Sequence, residues 1–139
     1  MADLKIIAEL KFDRLPELQG QLRRQASAAV RKAAFAIEAQ AKRAAPEDTG
    51  FLKNSIYTTT QDDSSYDQAA SRAREVNPDA EVLPEVGRPS ELQAVVAVGA
   101  EYGVYVELGA AGRPAQPFLG PAAEAVRPVF VAKMKELLG

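Results

Sequence analysis

The chain of 139 residues contains no cysteine and no histidine. Without cysteine there is no disulfide framework, no thiolate nucleophile and no sulfur-bound zinc. Without histidine there is no proton shuttle titrating near neutrality and no imidazole ligand. Carboxylate chemistry is left standing, because two-acid hydrolysis and magnesium sites need neither residue type. No apolar run approaches the roughly 20 residues of a membrane span. The opening MADLKIIAELKFD carries acids where a secretion signal is basic and then continuously apolar. The expectation is a protein made and used on the cytoplasmic side, with no membrane partner. An excess of positive charge is also missing: 17 basic against 19 acidic residues leave a formal net charge of −2. That excludes a uniformly basic nucleic-acid surface, though not a local one.

What is present is 47% hydrophobic and 26% charged, the composition of an ordinary folded protein long enough to bury a core without a metal or cross-link. One domain over residues 1–139 is expected. Residues 4–12, LKIIAELKF, read as a first strand or a packed arm. Over residues 15–45, Leu18, Leu22, Ala26, Ala29, Ala33, Ile37 and Ala41 recur at steps of three and four, the stripe of an amphipathic helix. Pro16 suits its first turn and Pro46 marks its far end. On the opposite face Arg24, Arg31 and Lys42 line up with Phe35 among them. Either basic stems or another part of the same subunit cover Phe35, or Phe35 belongs to a subunit contact in which the arginines meet a neighbour's acids.

In APEDTGFLKNSIYTTT, Asp48, Thr49 and Gly50 are turn formers, and residues 51–60 read as a strand. Residues 61–90 form a long polar loop with acids at Asp62, Asp63, Asp67 and Glu75, and one short helix over 68–75. Loops longer than about 15 residues are uncommon inside compact domains. Asp62, Asp63 and Asp67 lack the ligand alternation and closing glutamate of a calcium loop, so neither a metal nor a cofactor is expected. Residues 91–99 and 102–109 read as two β-prone runs close enough for a hairpin. Residues 121–138 read as a helix that buries Val126, Phe130, Met134, Leu137 and Leu138 and kinks at Pro128. The fold class expected is α+β: a small, mostly antiparallel sheet of three or four strands packed with a long N-terminal helix and a C-terminal helix, which cover one sheet face.

The run YVELGAAGRPAQPFLGPAAE joins the last strand to the last helix. Pro114, Pro117 and Pro121 restrict the chain before it folds, so an arm can leave the sheet in a fixed direction. Phe118 and Leu119 are then anchors, set either under this subunit's own sheet or, with Pro117, in a neighbour's.

Three pieces stand in a familiar order: AKRAAPEDTGFLKNSI (41–56), YGVYVELG (102–109) and AQPFLGPA (115–122). Together they resemble the neck or tail-component proteins of long-tailed double-stranded-DNA bacteriophages, from about Ala26 to the last residue except for 61–90. The departures are Ala110, Ala111 and Gly112, where the family often has threonine after the strand's glycine, and the length of 61–90. The resemblance implies a non-enzymatic virion protein, assembled in the bacterial cytoplasm as a homo-oligomeric ring at the head–tail junction. Its implied partners are portal-side connector proteins and the tail tube or tail-terminator proteins, with packaged DNA passing through without sequence recognition. An acidic lining lets DNA slide where basic residues would grip phosphate. Asp62, Asp63, Asp67 and Glu75 are therefore candidates for the channel or its rim, the other reading being a solvated outer loop. Rival readings are a tail-terminator or stopper ring of the same particle, a hydrolase or nuclease built on Asp48, Asp62, Asp63 and Glu107, and a nucleic-acid module using Arg23, Arg24, Arg31, Lys32, Lys42 and Arg43.

Overall fold

The computed structural model describes the backbone of residues 7–11 and the full chain of residues 20–47 and 50–139. The expected helix start with Pro16 and Leu18, and the turn residues Asp48 and Thr49, lie outside the described residues. The elements run β1 (Ile7–Lys11), α1 (Gly20–Ala44), α2 (Phe51–Asn54), β2 (Ile56–Thr60), α3 (Tyr66–Val76), β3 (Gln93–Val98), α4 (Gly103–Leu108) and α5 (Leu119–Leu138). The class is the α+β arrangement expected, with a long helix before the sheet and another after it.

Helix α1 follows from its alanines, the best helix formers. It buries Ala26, Val30, Ala33, Ala34, Ile37 and Ala41 and carries Lys42 and Arg43 in its last turn, where cations favour the negative end of the helix dipole. Parts of two expected strands are helical: residues 51–54 of the strand expected over 51–60, whose remainder does form β2, and residues 103–108 of the strand expected over 102–109. Gly50 takes a left-handed φ of 79°, a conformation open to glycine at little cost. The chain then coils, with the Asn54 N–H bonded to the Gly50 carbonyl at 3.0 Å. Phe51 and Leu52 are both buried, whereas a strand would send these neighbours to opposite faces. Residues 103–108 likewise form α4 and not the second arm of a hairpin.

The sheet is antiparallel in the order β1-β3-β2. Pairing of Ile56 with Val98 and of Thr58 with Val96 sets one face; Tyr57 opposite Ala97 and Thr59 opposite Val95 set the other. The first face packs on α1 and α5 in a core that includes Val30, Ile37, Val96, Phe118 and Val126. The second is closed by the chain's own 61–90 excursion: Tyr57, Val95 and Ala97 cluster with Ala69 of α3, and Tyr66 and Val86 pack against them. The excursion is thus structured, not an open loop. Leu83 donates its N–H to the Gly99 carbonyl at 2.8 Å, and Val82 and Leu83 are buried. The outer edge of β2 is covered as well, since Thr60 N–H bonds Asp63 O at 2.7 Å and Ser65 N–H bonds Thr58 O at 2.9 Å.

Helix α5 runs through Pro128 without interruption. Pro128 and Glu124, whose carbonyl loses its helical partner there, are both exposed, so water can satisfy the freed group. Val126 and Met134 are buried and Phe130 and Leu137 half-buried, but Leu138 is exposed, against expectation. Ala26 clusters with Met134, with Leu22 and Leu137 alongside, while Val30 and Ala33 share the main core with Val126. The start of α1 therefore lies beside the end of α5, and the two helices run antiparallel.

Candidate assembly surface

The link between α4 and α5 is built around one carboxylate. Glu107 Oε1 accepts the N–H groups of Phe118 and Leu119, each at 2.9 Å, and Oε2 accepts that of Gly120 at 2.9 Å. The first turn of a helix has N–H groups without intrahelical partners, and its positive dipole end favours an anion. A single acid from another helix satisfies three such donors here. Gly109 lets the chain turn away from α4 with φ of 84°, and a Cβ there would meet Ala115 N at 3.0 Å. The arm then doubles back: Ala110 and Arg113 exchange two backbone bonds of 3.1 and 2.9 Å, and Gln116 N–H reaches the Val106 carbonyl at 2.8 Å.

Phe118 is fully buried and Leu119 nearly so, both in the main core of their own subunit. Of the two placements open from the sequence, the link plugs its own fold, and Phe118 and Leu119 leave the set of expected subunit-contact residues because no partner can reach them. Pro117 remains exposed.

What the braced link does present is the outer side of α4. Tyr102, Tyr105 and Leu108 are 43%, 47% and 72% exposed. Tyr102 stacks on Phe51 with ring centroids 6.3 Å apart. The two tyrosines border a cleft of about 300 Å³ walled by Pro46, Leu52, Arg113 and Pro114. Tyrosine and arginine around a partly apolar hollow are the side chains that most often anchor protein interfaces. A second apolar surface lies between α1 and α5, a groove of about 430 Å³ lined by Ala29, Ala33, Val129 and Phe130 and flanked by Lys32 and Lys133.

The basic residues of α1 are in part engaged within the subunit. The Arg31 guanidinium lies 5.2 Å from the centroid of the half-buried Phe35 ring and also pairs with Asp63. Thus a basic stem covers Phe35 in its own chain. Lys42 pairs with Glu38 at 3.1 Å and Arg23 with Glu91 at 3.5 Å, whereas Arg24, Lys32 and Arg43 are exposed. Among the acids, Asp62, Asp67 and Glu75 are exposed. Arg72 and Arg74 are exposed on the same helix as Asp67 and Glu75, so that surface carries both signs. Among the described residues no three acidic side chains gather as metal ligands do. Glu107, expected as a strand residue, is the brace of α5, and Asp48 lies outside the described residues.

Sequence reasoning missed a second polar hub. Glu38 accepts from Lys42 and, at 2.9 Å, from the Ser65 hydroxyl, whose oxygen in turn accepts the Thr58 N–H at 2.9 Å. It ties α1, β2 and the start of α3 together. Glu38 and Lys42 at i and i+4 gave a signal for their ion pair, but nothing local pointed to Ser65.

No helix among the described residues is long and apolar enough to cross a membrane. No curated protein and no solved structure matches the chain. A family model described as "Bacteriophage HK97-gp10, putative tail-component" matches residues 11–109. The match takes in the 61–90 excursion, which the sequence comparison had set apart, and ends at Gly109, before the link and α5. With well over half of its length matched, the chain belongs to this HK97-gp10-like family of bacteriophage tail components.

Proposed function

We propose that the protein is a structural virion subunit that assembles into a ring at the head–tail junction, joining the portal-side connector to the tail and surrounding the DNA channel. The observation that carries this reading is the pair of separate apolar surfaces, the α4 face and the α1/α5 groove, that the subunit leaves open after closing both faces of its sheet. A small protein with two such surfaces has one for each neighbour in a cyclic assembly. Its first partners are copies of itself, followed by connector-side and tail-side proteins. Packaged DNA passes without sequence recognition, with Asp62, Asp67 and Glu75 available to the channel or its rim. No catalytic role is assigned, and Asp62→Asn with Asp63→Asn is expected to leave assembly unchanged.

A second reading places the ring on the tail side, as a tail terminator. The family's description as a tail component favours it. Measuring the mass of the purified protein, alone and with a connector ring or with tail tubes, tests both. A ring-sized species stabilised by the connector supports the neck, and one stabilised only by tubes supports the terminator. A chain that stays monomeric with both, in particles that join heads to tails normally without it, overturns the proposal.

A further inference from the structure

The two open surfaces differ in charge as well as position. Leu108 and Val129 are the most exposed large apolar side chains among the described residues, at 72% and 71%. Leu108 projects from the α4 face with Tyr105, and the exposed Glu101 precedes that helix. Val129 lies in the α1/α5 groove, where Lys32 of α1 and Lys133 of α5 flank the apolar floor. The α4 cleft reaches Pro46, just past the end of α1, whereas the groove follows Gln25 to Ala36 of the same helix. At about 1.5 Å of rise per residue their centres are roughly 20 Å apart along α1, so neither surface overlaps the other.

We infer that the α4 face of one copy docks into the α1/α5 groove of the next, with Tyr105 and Leu108 against Val129 and Phe130 and Glu101 facing Lys32 and Lys133. The inference rests on the ring reading above and names its contact. Charge selects the pairing. The groove's flanking charges, Lys32 and Lys133, share one sign, so a two-fold contact of the groove with itself sets like charges together, whereas the α4 face, which carries Arg113 on its cleft wall as well as Glu101, can set that acid over the lysines. A head-to-tail contact also propagates, because each copy keeps one free knob and one free groove until the circle closes.

The absence of cysteine makes the test clean, since any disulfide must join introduced thiols. Leu108→Cys and Val129→Cys are made singly and together, with circular dichroism to verify folding, and oxidised both as concentrated protein and in assembled virions. Mixed single variants are expected to give a cross-linked dimer that neither gives alone, and the double variant a ladder of multimers. Homodimers from either single variant as the main product would overturn the inference. So would a ring-sized mass, or intact virions, without a cross-link between positions 108 and 129; the ring reading itself survives that result and falls only if no ring forms. Glu101→Lys and Lys32→Glu are each expected to weaken self-association about fivefold, and the pair together to restore most of it. Leu108→Asp is expected to weaken it roughly 30-fold, and no change with Leu108→Asp would also overturn the inference.

Discussion

Residues 61–92 are fastened at many points, whereas residues 109–118 are fastened at few. The longer segment is held by the alanines of α3, by Val82 and Leu83, by the Tyr66 hydroxyl donating to the Leu83 carbonyl at 2.7 Å and by Val86 N–H on the Tyr57 hydroxyl at 3.0 Å. Tyr57 and Tyr66 also meet edge to face at 4.9 Å. The shorter segment is exposed from Ala111 to Pro117 and is fixed to the rest of the fold by one backbone bond from Gln116 to Val106, by the Phe118 ring at its end and by the Glu107 carboxylate behind it. Distributed anchoring tolerates the loss of any one contact, and concentrated anchoring does not. The α4 face, whose residues read from the sequence as a strand, takes its shape from the concentrated kind.

The sharpest way to break the comparison is Phe118→Ala. Emptying a fully buried aromatic site costs about 3–5 kcal/mol, measured as a shift of the urea midpoint at constant slope. Glu107→Ala comes next. It strands three helix N–H groups and removes a favourable charge, for an expected loss of about 2–3 kcal/mol, and hydrogen exchange should quicken at Phe118, Leu119 and Gly120 before anywhere else. Glu107→Gln should fall between the variant and the parent. In the longer segment, Tyr66→Phe removes one hydrogen bond among several anchors and should cost only about 1 kcal/mol, with exchange around Leu83 little changed. If Tyr66→Phe matched Glu107→Ala in cost, the contrast between the two segments would be lost.

Two smaller effects sharpen the account of the sheet that both segments border. The Thr58 and Thr59 hydroxyls are buried and have no hydrogen-bond partner among the described residues. Thr59→Val should therefore stabilise the fold by about 1 kcal/mol, the reverse of the usual sign for a buried change. Burial raises the Tyr57 hydroxyl above its ordinary value of 10.0, against the opposing bond from Val86. The folded protein holds that proton where the unfolded chain has released it, so stability is intact below pH 10 and falls as pH rises through the folded value. Denaturation midpoints from pH 9 to 11.5 should decline, less steeply in Tyr57→Phe.

Much of the fold was legible from residue patterns. Ala26, Ala33, Ile37 and Ala41 placed α1, Pro46 its end, and the short helix inside 61–90 was placed within two residues at its start. The misreadings have a common physical source. Tyr102 to Leu108 and Phe51 to Asn54 are too short for a period of 2 to be told from one of 3.6, and aromatic and β-branched residues tipped both toward strand. The expected sheet had only one covered face because the 61–90 segment has few large apolar residues, yet Ala69, Tyr66 and Val86 from that segment pack on Tyr57 and Val95. Glu107 was beyond sequence reasoning: a capping glutamate normally stands within one helical turn of the amides it serves, and this one precedes Phe118 by eleven residues. The paired states of Arg31 and Lys42 depend on Asp63 and Glu38, and only the first of these partners is distant in sequence.

Strand β3 lies between β1 and β2, though it comes after both in the chain. During synthesis, neither earlier strand has a neighbour to pair with until Gln93–Val98 leave the ribosome, and the contacts then formed span long stretches of chain. Nascent chains interrupted before that point carry α1 without a platform. Because α1 packs on that sheet, its buried stripe gains its cover only once synthesis has passed Val98, late in a chain of 139 residues.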